Sequence, residues 1–74
     1  MDKYNRTWKD GGTVRHWMNE QFSNTRMAFK YKGKIIAGPA AMDDLPGPVL
    51  VPYWFNKCHV SKDKEGVYIV EIVG

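Results

Sequence analysis

The sequence predicts an α+β fold in which one main helix packs on an antiparallel sheet of three or four strands. An apolar stripe at helical spacing predicts the helix, over residues 13–24. Runs rich in β-branched and aromatic residues, broken by charged turns with glycine, predict two hairpins over residues 25–37 and 49–74. A small, partly open β-barrel with an appended helix is the alternative.

The bulk properties favour a single folded domain over residues 1–74. Hydrophobic residues make up 43% of the chain, which is enough to build a core and excludes a disordered protein. The single cysteine, Cys58, excludes an internal disulfide and indicates a reducing compartment, so we expect a cytoplasmic location. No apolar run is long enough for a membrane helix, and no membrane association is expected.

Residues 1–12 show no clean period and are interpreted as an irregular N-terminal arm. Tyr4 and Trp8 are spaced i, i+4, which would suit one helical turn or an arm folded back on the core. The sequence Asp10-Gly11-Gly12 then interrupts whatever structure precedes it.

The main helix is predicted over residues 13–24, with Thr13 as its N-cap. Its apolar stripe consists of Val14, Trp17, Met18 and Phe22. We expect this short helix to dock on the sheet, because isolated helices of a few turns are marginal in water. Trp17 and Phe22 are the expected anchors.

The first hairpin, residues 25–37, alternates apolar and basic side chains. Met27, Phe29 and Tyr31 should face the core, and Lys32-Gly33 should form the turn. The opposite face would then carry a row of cations. These are Arg26, Lys30 and Lys32.

The connector over residues 38–48 holds three of the four prolines. Gly38 and Pro39 fit an N-cap and a first helical position, so a single helical turn or a loop is predicted. Pro46 would end that turn.

The C-terminal hairpin covers residues 49–74 and contains the longest apolar runs. Pro52 places the start of its first strand at a sheet edge, and the better strand is predicted over Tyr53–Val60. Trp54 and Val60 are expected to point inward. An edge strand of this kind would allow a homodimer.

The positive charge is concentrated in the first half of the chain. Residues 1–34 contain eight Lys or Arg against three Asp or Glu, whereas residues 35–74 contain three against five. The segment Arg26–Lys34 has four cations and no acid. Nucleic acid or an acidic protein surface is therefore the expected partner.

We expect a small, non-catalytic binding protein that binds nucleic acid through its basic hairpin face. Cations would contact phosphates, and interleaved aromatic rings are typical of single-strand binders. The predicted nucleic-acid-binding residues are Arg26, Lys30, Lys32, Lys34, Lys3, Arg6 and Lys9.

The alternative is a viral- or plasmid-type accessory protein that binds a host protein and inhibits or redirects it. The chain holds more large aromatics than one small core needs, and exposed Trp and Tyr are typical interface anchors. The residues predicted for this interface are Tyr53, Trp54, Phe55, Trp8 and Tyr4.

No motif for catalysis, metal or cofactor stands out, so the chain is not expected to be an enzyme. Cys58 and His59 are adjacent on a predicted strand and should point to opposite faces, which disfavours a shared metal ion. Cys58 lacks a signalled base, since nothing places His16 beside it. Asp43-Asp44 is expected to be solvated, and no P-loop pattern follows Gly11-Gly12.

Overall fold

A computed structural model describes residues 8–74 of the chain. The elements are α1 (Val14–Asn19), β1 (Arg26–Tyr31), β2 (Lys34–Ala41), a first 3₁₀ turn (Met42–Asp44), α2 (Gly47–Leu50), a second 3₁₀ turn (Val51–Tyr53), β3 (Cys58–Lys62) and β4 (Tyr68–Ile72). The fold is therefore α+β, as predicted. Among the described residues, no helix has the length and hydropathy needed to cross a membrane.

The four strands form one open, mixed sheet in the order β2-β1-β4-β3. Both predicted hairpins are present, since β1–β2 and β3–β4 are antiparallel pairs. The prediction of a wholly antiparallel sheet is wrong at the centre, where β1 and β4 are parallel. After β2 the chain crosses over to build β3 at the far edge, and β4 returns beside β1. This order places the two strands with the most buried side chains at the centre.

Helix α1 begins as predicted, because the hydroxyl of Thr13 accepts a hydrogen bond from the backbone N–H of His16 at 3.3 Å. It ends at Asn19, several residues before the predicted end. Beyond it, the chain turns into the sheet, and the carbonyls of Ser23 and Thr25 accept hydrogen bonds from residues 43 and 42. The N–H groups of Glu20 and Gln21 donate to the carbonyls of Trp17 and Met18, three residues back and both at 3.1 Å, so the α-helical pattern is not continued.

The early end of α1 also changes its anchors. Trp17 is buried, as expected, and its ring packs edge-on against Phe29, with ring centroids 6.4 Å apart and planes at 78°. Phe22 lies past the helix and is 46% exposed, so its prediction as an anchor is wrong.

Strand β2 runs through Ala41, so the predicted connector over 38–48 is wrong for its first four residues. The strand continues past Gly38 through a bulge, where the β1–β2 register shifts on both sides of Phe29. Gly38 has a positive φ of 82°, and a Cβ at this position would collide with the carbonyl oxygen of Met27. The predicted helical turn follows β2 instead of starting at Gly38 and Pro39.

The strand predicted over Tyr53–Val60 begins only at Cys58, and the segment before it is helical turn and loop. The backbone N–H groups of Val14 and Arg15 donate to the carbonyls of Asn56 and Trp54, both at 2.9 Å. The loop thus satisfies donors of the first turn of α1 that have no partner inside the helix. Pro52 lies at the start of the second 3₁₀ turn and not in an edge strand.

The core lies between one face of the sheet and the layer formed by α1, α2 and the loop before β3. Trp54 and Val60, predicted to point inward, are partly buried against it. Its buried residues are Val14, Trp17, Met27, Phe29, Ala37, Leu50, Cys58, Val70 and Ile72.

Residues 10–13 run alongside the outer edge of β3. The N–H of Gly11 donates to the carbonyl of Cys58 at 3.0 Å, and the N–H of Cys58 donates to the carbonyl of Gly12 at 2.9 Å. Thr13 forms an isolated bridge with Lys57. This edge is therefore partly covered, whereas β2 forms the other edge of the sheet.

Candidate binding surfaces

A groove opens beside α1, with a cavity volume of about 310 Å³. Its floor and walls come from α1, from the first 3₁₀ turn and from the loop before β3. The lining residues are Arg15, Met18, Asn19, Met42 and Trp54. We refer to these five residues as the α1 groove.

Helical spacing places three of the lining side chains together. Arg15, Met18 and Asn19 stand at i, i+3 and i+4 on α1 and therefore share one side of it. Trp54 is held opposite them because its carbonyl accepts the backbone N–H of Arg15 at 2.9 Å. Met42 is placed by its own N–H, which donates to the carbonyl of Thr25.

The guanidinium of Arg15 contacts two aromatic rings at the edge of the groove. Its guanidinium carbon is 5.7 Å from the ring centroid of Trp54 and 5.8 Å from that of Phe55. Contacts of this kind contribute about 0.5–1 kcal/mol at exposed sites. The two ion pairs found among residues 8–74, His16–Glu20 and Asp10–His59, do not involve Arg15.

The structure divides the predicted aromatic set. Phe55 is 72% exposed next to the α1 groove, and Trp54 lines that groove. Tyr53 lies elsewhere and packs on Tyr31, with ring centroids 4.9 Å apart.

Trp8 is tied to the start of α1. Its indole N–H donates to the carbonyl of Thr13 at 3.2 Å, and its backbone N–H donates to the carboxylate of Glu20 at 3.1 Å. Trp8 therefore supports the helix from the side of the N-terminal arm. Tyr4 lies outside the described residues.

The predicted basic set is also divided. Arg26 and Lys30 stand on the face of β1 opposite the core, whereas Lys34 is the register partner of Tyr31 and shares its face. Lys32 lies in the turn, with its Nζ 5.4 Å from the Tyr31 ring centroid. Lys9 is exposed in the segment before α1. Lys3 and Arg6 lie outside the described residues.

Acidic groups interrupt the charge on the open face of the sheet. Lys30 is the register partner of Glu71, and Glu71 is the register partner of His59. The next group along this row is Asp10, whose Oδ2 lies 2.7 Å from Nδ1 of His59. The described part of this face is thus mixed in charge and not a continuous basic strip.

The chemistry-bearing side chains of residues 8–74 do not converge on one point. Cys58 is buried, and burial first, with the nearby Asp10 charge second, raises the pKa of its thiol to about 11. His59 is exposed on the opposite side of β3, as the alternation predicted. Within residues 8–74, no three His, Cys, Asp or Glu side chains are grouped so that they could hold a metal ion.

Sequence reasoning missed most of the α1 groove. Trp54 was among the predicted interface residues, whereas Arg15, Asn19 and Met42 were not. Met18 was assigned to the apolar stripe of the helix. The available signal for a surface role was that this stripe is wider than burial in the core requires. The approach of Trp54 to the start of α1 has no pattern in the sequence, because it depends on a backbone hydrogen bond between distant segments.

Comparison with known proteins adds no assignment, because no family model, curated protein or solved structure matches this chain.

Proposed function

We propose that the protein is a small binding protein that docks a protein partner through the α1 groove and the adjacent Phe55. The observation that carries this proposal is the position of Phe55. Its ring is 72% exposed, and it shares Arg15 with Trp54, a lining residue of the groove. An exposed ring beside a concave, largely apolar site is typical of interface anchors.

The other lining residues fit the same role. Met18 and Met42 have flexible, polarizable side chains that adapt to the shape of a bound group. Arg and Trp are the residue types most enriched among the side chains that dominate binding energy. A partner that covers Phe55 and fills the groove would remove this apolar surface from water.

The test is a binding comparison between two exposed apolar residues on different surfaces. Phe55→Ala should abolish capture of a protein partner by the immobilised chain. Ile35→Ala is the matched control, because Ile35 is 51% exposed on strand β2, whereas the groove is lined by α1, Met42 and Trp54. Ile35→Ala should retain the partner, and crosslinks should map to the groove. Capture that survives Phe55→Ala would contradict the proposal.

Nucleic-acid binding through the first hairpin is the second candidate. Lys32 and Lys34 are exposed around its turn, and neither forms an ion pair within the described part of the chain. Such cations can neutralise phosphates without reading sequence. The mixed charge around Lys30 places this candidate behind the groove.

Tryptophan fluorescence during titration with single-stranded and duplex oligonucleotides tests this second candidate. Binding should weaken steeply with salt, because phosphate neutralisation releases counterions. The double variant Lys30→Glu/Lys32→Glu should abolish it. Lys64→Glu, which reverses an exposed charge in the loop between β3 and β4, is the control and should have little effect. Absence of binding at low salt would remove this candidate.

A further inference from the structure

We propose that the α1 groove binds a linear peptide segment in which a carboxylate side chain adjoins a bulky apolar one, with the carboxylate on Arg15. The inference rests on the proposed function and names the class of partner for the same groove. Arg15 carries the only charge among the five lining residues, and the lining beside it is apolar apart from Asn19.

The setting of Arg15 favours a carboxylate ligand. Its guanidinium lies over both the Trp54 and Phe55 rings, and contact with two rings restricts its orientation. Neither of the ion pairs found in residues 8–74 uses it, so its fork of N–H donors is available to a ligand. A planar guanidinium binds a carboxylate in a bidentate manner, with stronger bonds than neutral groups form.

The acid nearest along α1 does not take this role. The carboxylate of Glu20 accepts the backbone N–H of Trp8 and lies 3.1 Å from Nε2 of His16. This carboxylate therefore contacts Trp8, in the segment before α1, and His16, on α1. The positive charge of Arg15 faces the groove without this carboxylate as its partner.

The rest of the groove suits an apolar side chain beside the carboxylate. Met18, Met42 and Trp54 supply its apolar lining. Its volume of about 310 Å³ lies at the low end of the range for ligand pockets, which suits a side chain more than a folded surface.

The charge on the two sides of the groove sets a direction. Arg15 lies on the α1 side, whereas Asp43 and Asp44 directly follow Met42 and are exposed. A bound segment should therefore place its carboxylate at Arg15 and a neutral or basic residue towards Met42. A long acidic run would meet like charge at the Met42 side.

The experiment measures two capped peptides against the full chain by isothermal titration calorimetry. The first peptide reads Asp-Leu-Leu-Lys, and the second carries Asn in place of Asp, which keeps shape and removes charge. The acidic peptide should bind about tenfold more tightly or better, since charged hydrogen bonds are the stronger ones. Arg15→Gln should remove this preference and leave the affinity for the Asn peptide nearly unchanged.

Lys62→Gln is the matched control variant. Lys62 also places its cation over an aromatic ring, with Nζ 5.2 Å from the Tyr68 ring centroid, but it does not line the groove. The peptide preference should survive in this variant. Arg15 and Lys62 are both exposed, and thermal unfolding of each variant checks that the fold is kept.

Three results would overturn the inference: equal affinity of the wild type for both peptides, a preference that persists in Arg15→Gln, or no binding of either peptide. Each of these would leave the proposed function standing if Phe55→Ala still abolished capture of the protein partner. If the proposed function were wrong, capture of the protein partner would not change with Phe55→Ala. The two failures are therefore distinguishable.

Discussion

Asp10 and His59 are joined side chain to side chain, with Oδ2 of Asp10 2.7 Å from Nδ1 of His59, although 49 residues separate them in the sequence. The second oxygen of Asp10 accepts the backbone N–H of Val60 at 3.1 Å. One carboxylate thus fastens the segment before α1 to the outer edge of β3. A polar edge contact between distant segments closes the strand that would otherwise be free to pair.

The Asp10 contact should make stability depend on pH in the acid range. The His59 hydrogen bond first, and the Val60 N–H second, lower the pKa of Asp10 below 3.8. The ionised carboxylate therefore stabilises the fold above about pH 4, and this contribution is lost as pH falls through the lowered pKa. Asp10→Asn should reduce the free energy of unfolding at neutral pH and flatten its decline in acid.

Urea unfolding between about pH 6 and about pH 2 measures this effect. Asp44→Asn is the control, because the Asp44 carboxylate is exposed and accepts no hydrogen bond from the described residues. If the free energy of unfolding of Asp10→Asn falls with pH as it does in the wild type, the contact does not contribute to stability.

Cys58 should react slowly with thiol reagents in the folded protein. Its side chain is fully buried, and a pKa raised to about 11 keeps the thiol protonated at neutral pH. Alkylation by iodoacetamide, followed by mass spectrometry, should become fast only when urea unfolds the chain. Rapid labelling of the native protein would mean that the cover formed by residues 10–13 opens easily.

Phe29→Ala should destabilise the fold severely. Phe29 is fully buried on central strand β1 and contacts the ring of Trp17, so truncation removes apolar burial and leaves a cavity. The expected loss is about 3–5 kcal/mol in the free energy of unfolding.

Ile35→Ala is the control for Phe29→Ala, because Ile35 is 51% exposed on strand β2. Its loss should be about 1 kcal/mol or less, as for other substitutions outside a packed core. Thermal and urea unfolding of both variants gives the comparison. Equal losses in the two variants would contradict core burial as the source of the Phe29 contribution.

Gly38→Ala should lower the free energy of unfolding much more than Gly33→Ala does. Both glycines have a φ of 82°, so both substitutions carry similar backbone strain, about 1–3 kcal/mol. At Gly38 the new Cβ would also collide with the carbonyl of Met27 at the bulge, whereas at Gly33 it meets no atom within 4 Å.

Urea unfolding of the two glycine variants separates the collision from the shared strain. The difference between their free energies of unfolding measures the effect of the close approach of β2 to β1. Equal stabilities would indicate that β2 shifts at the bulge without cost.

Local features were predictable from sequence because their causes are local. The hydroxyl of Thr13 caps α1 as its position before the apolar stripe predicted. Lys32 and Gly33 both adopt positive φ, 52° and 82°, in the predicted hairpin turn. Burial of Met27 and Phe29 followed from the alternation along β1.

The groove was less predictable than the strands. The aromatic run Tyr53–Phe55 suggested an interface, but strand alternation was the wrong geometry for it. The loop folds against α1 because it accepts the free N–H groups of Val14 and Arg15. That arrangement brings Arg15 to Trp54 and Phe55, a meeting that no local period encodes.

By itself, the sequence determined the α+β class, the two hairpins, the start of α1 and the principal core side chains, since hydrophobic period and turn chemistry act over a few residues. Only the tertiary structure decided that β4 lies parallel to β1, that β2 bends through Gly38, and that Arg15 meets Trp54. These features depend on which distant segments pack together to bury apolar surface and to satisfy backbone donors. Periodicity along one segment does not indicate which segment will be its neighbour.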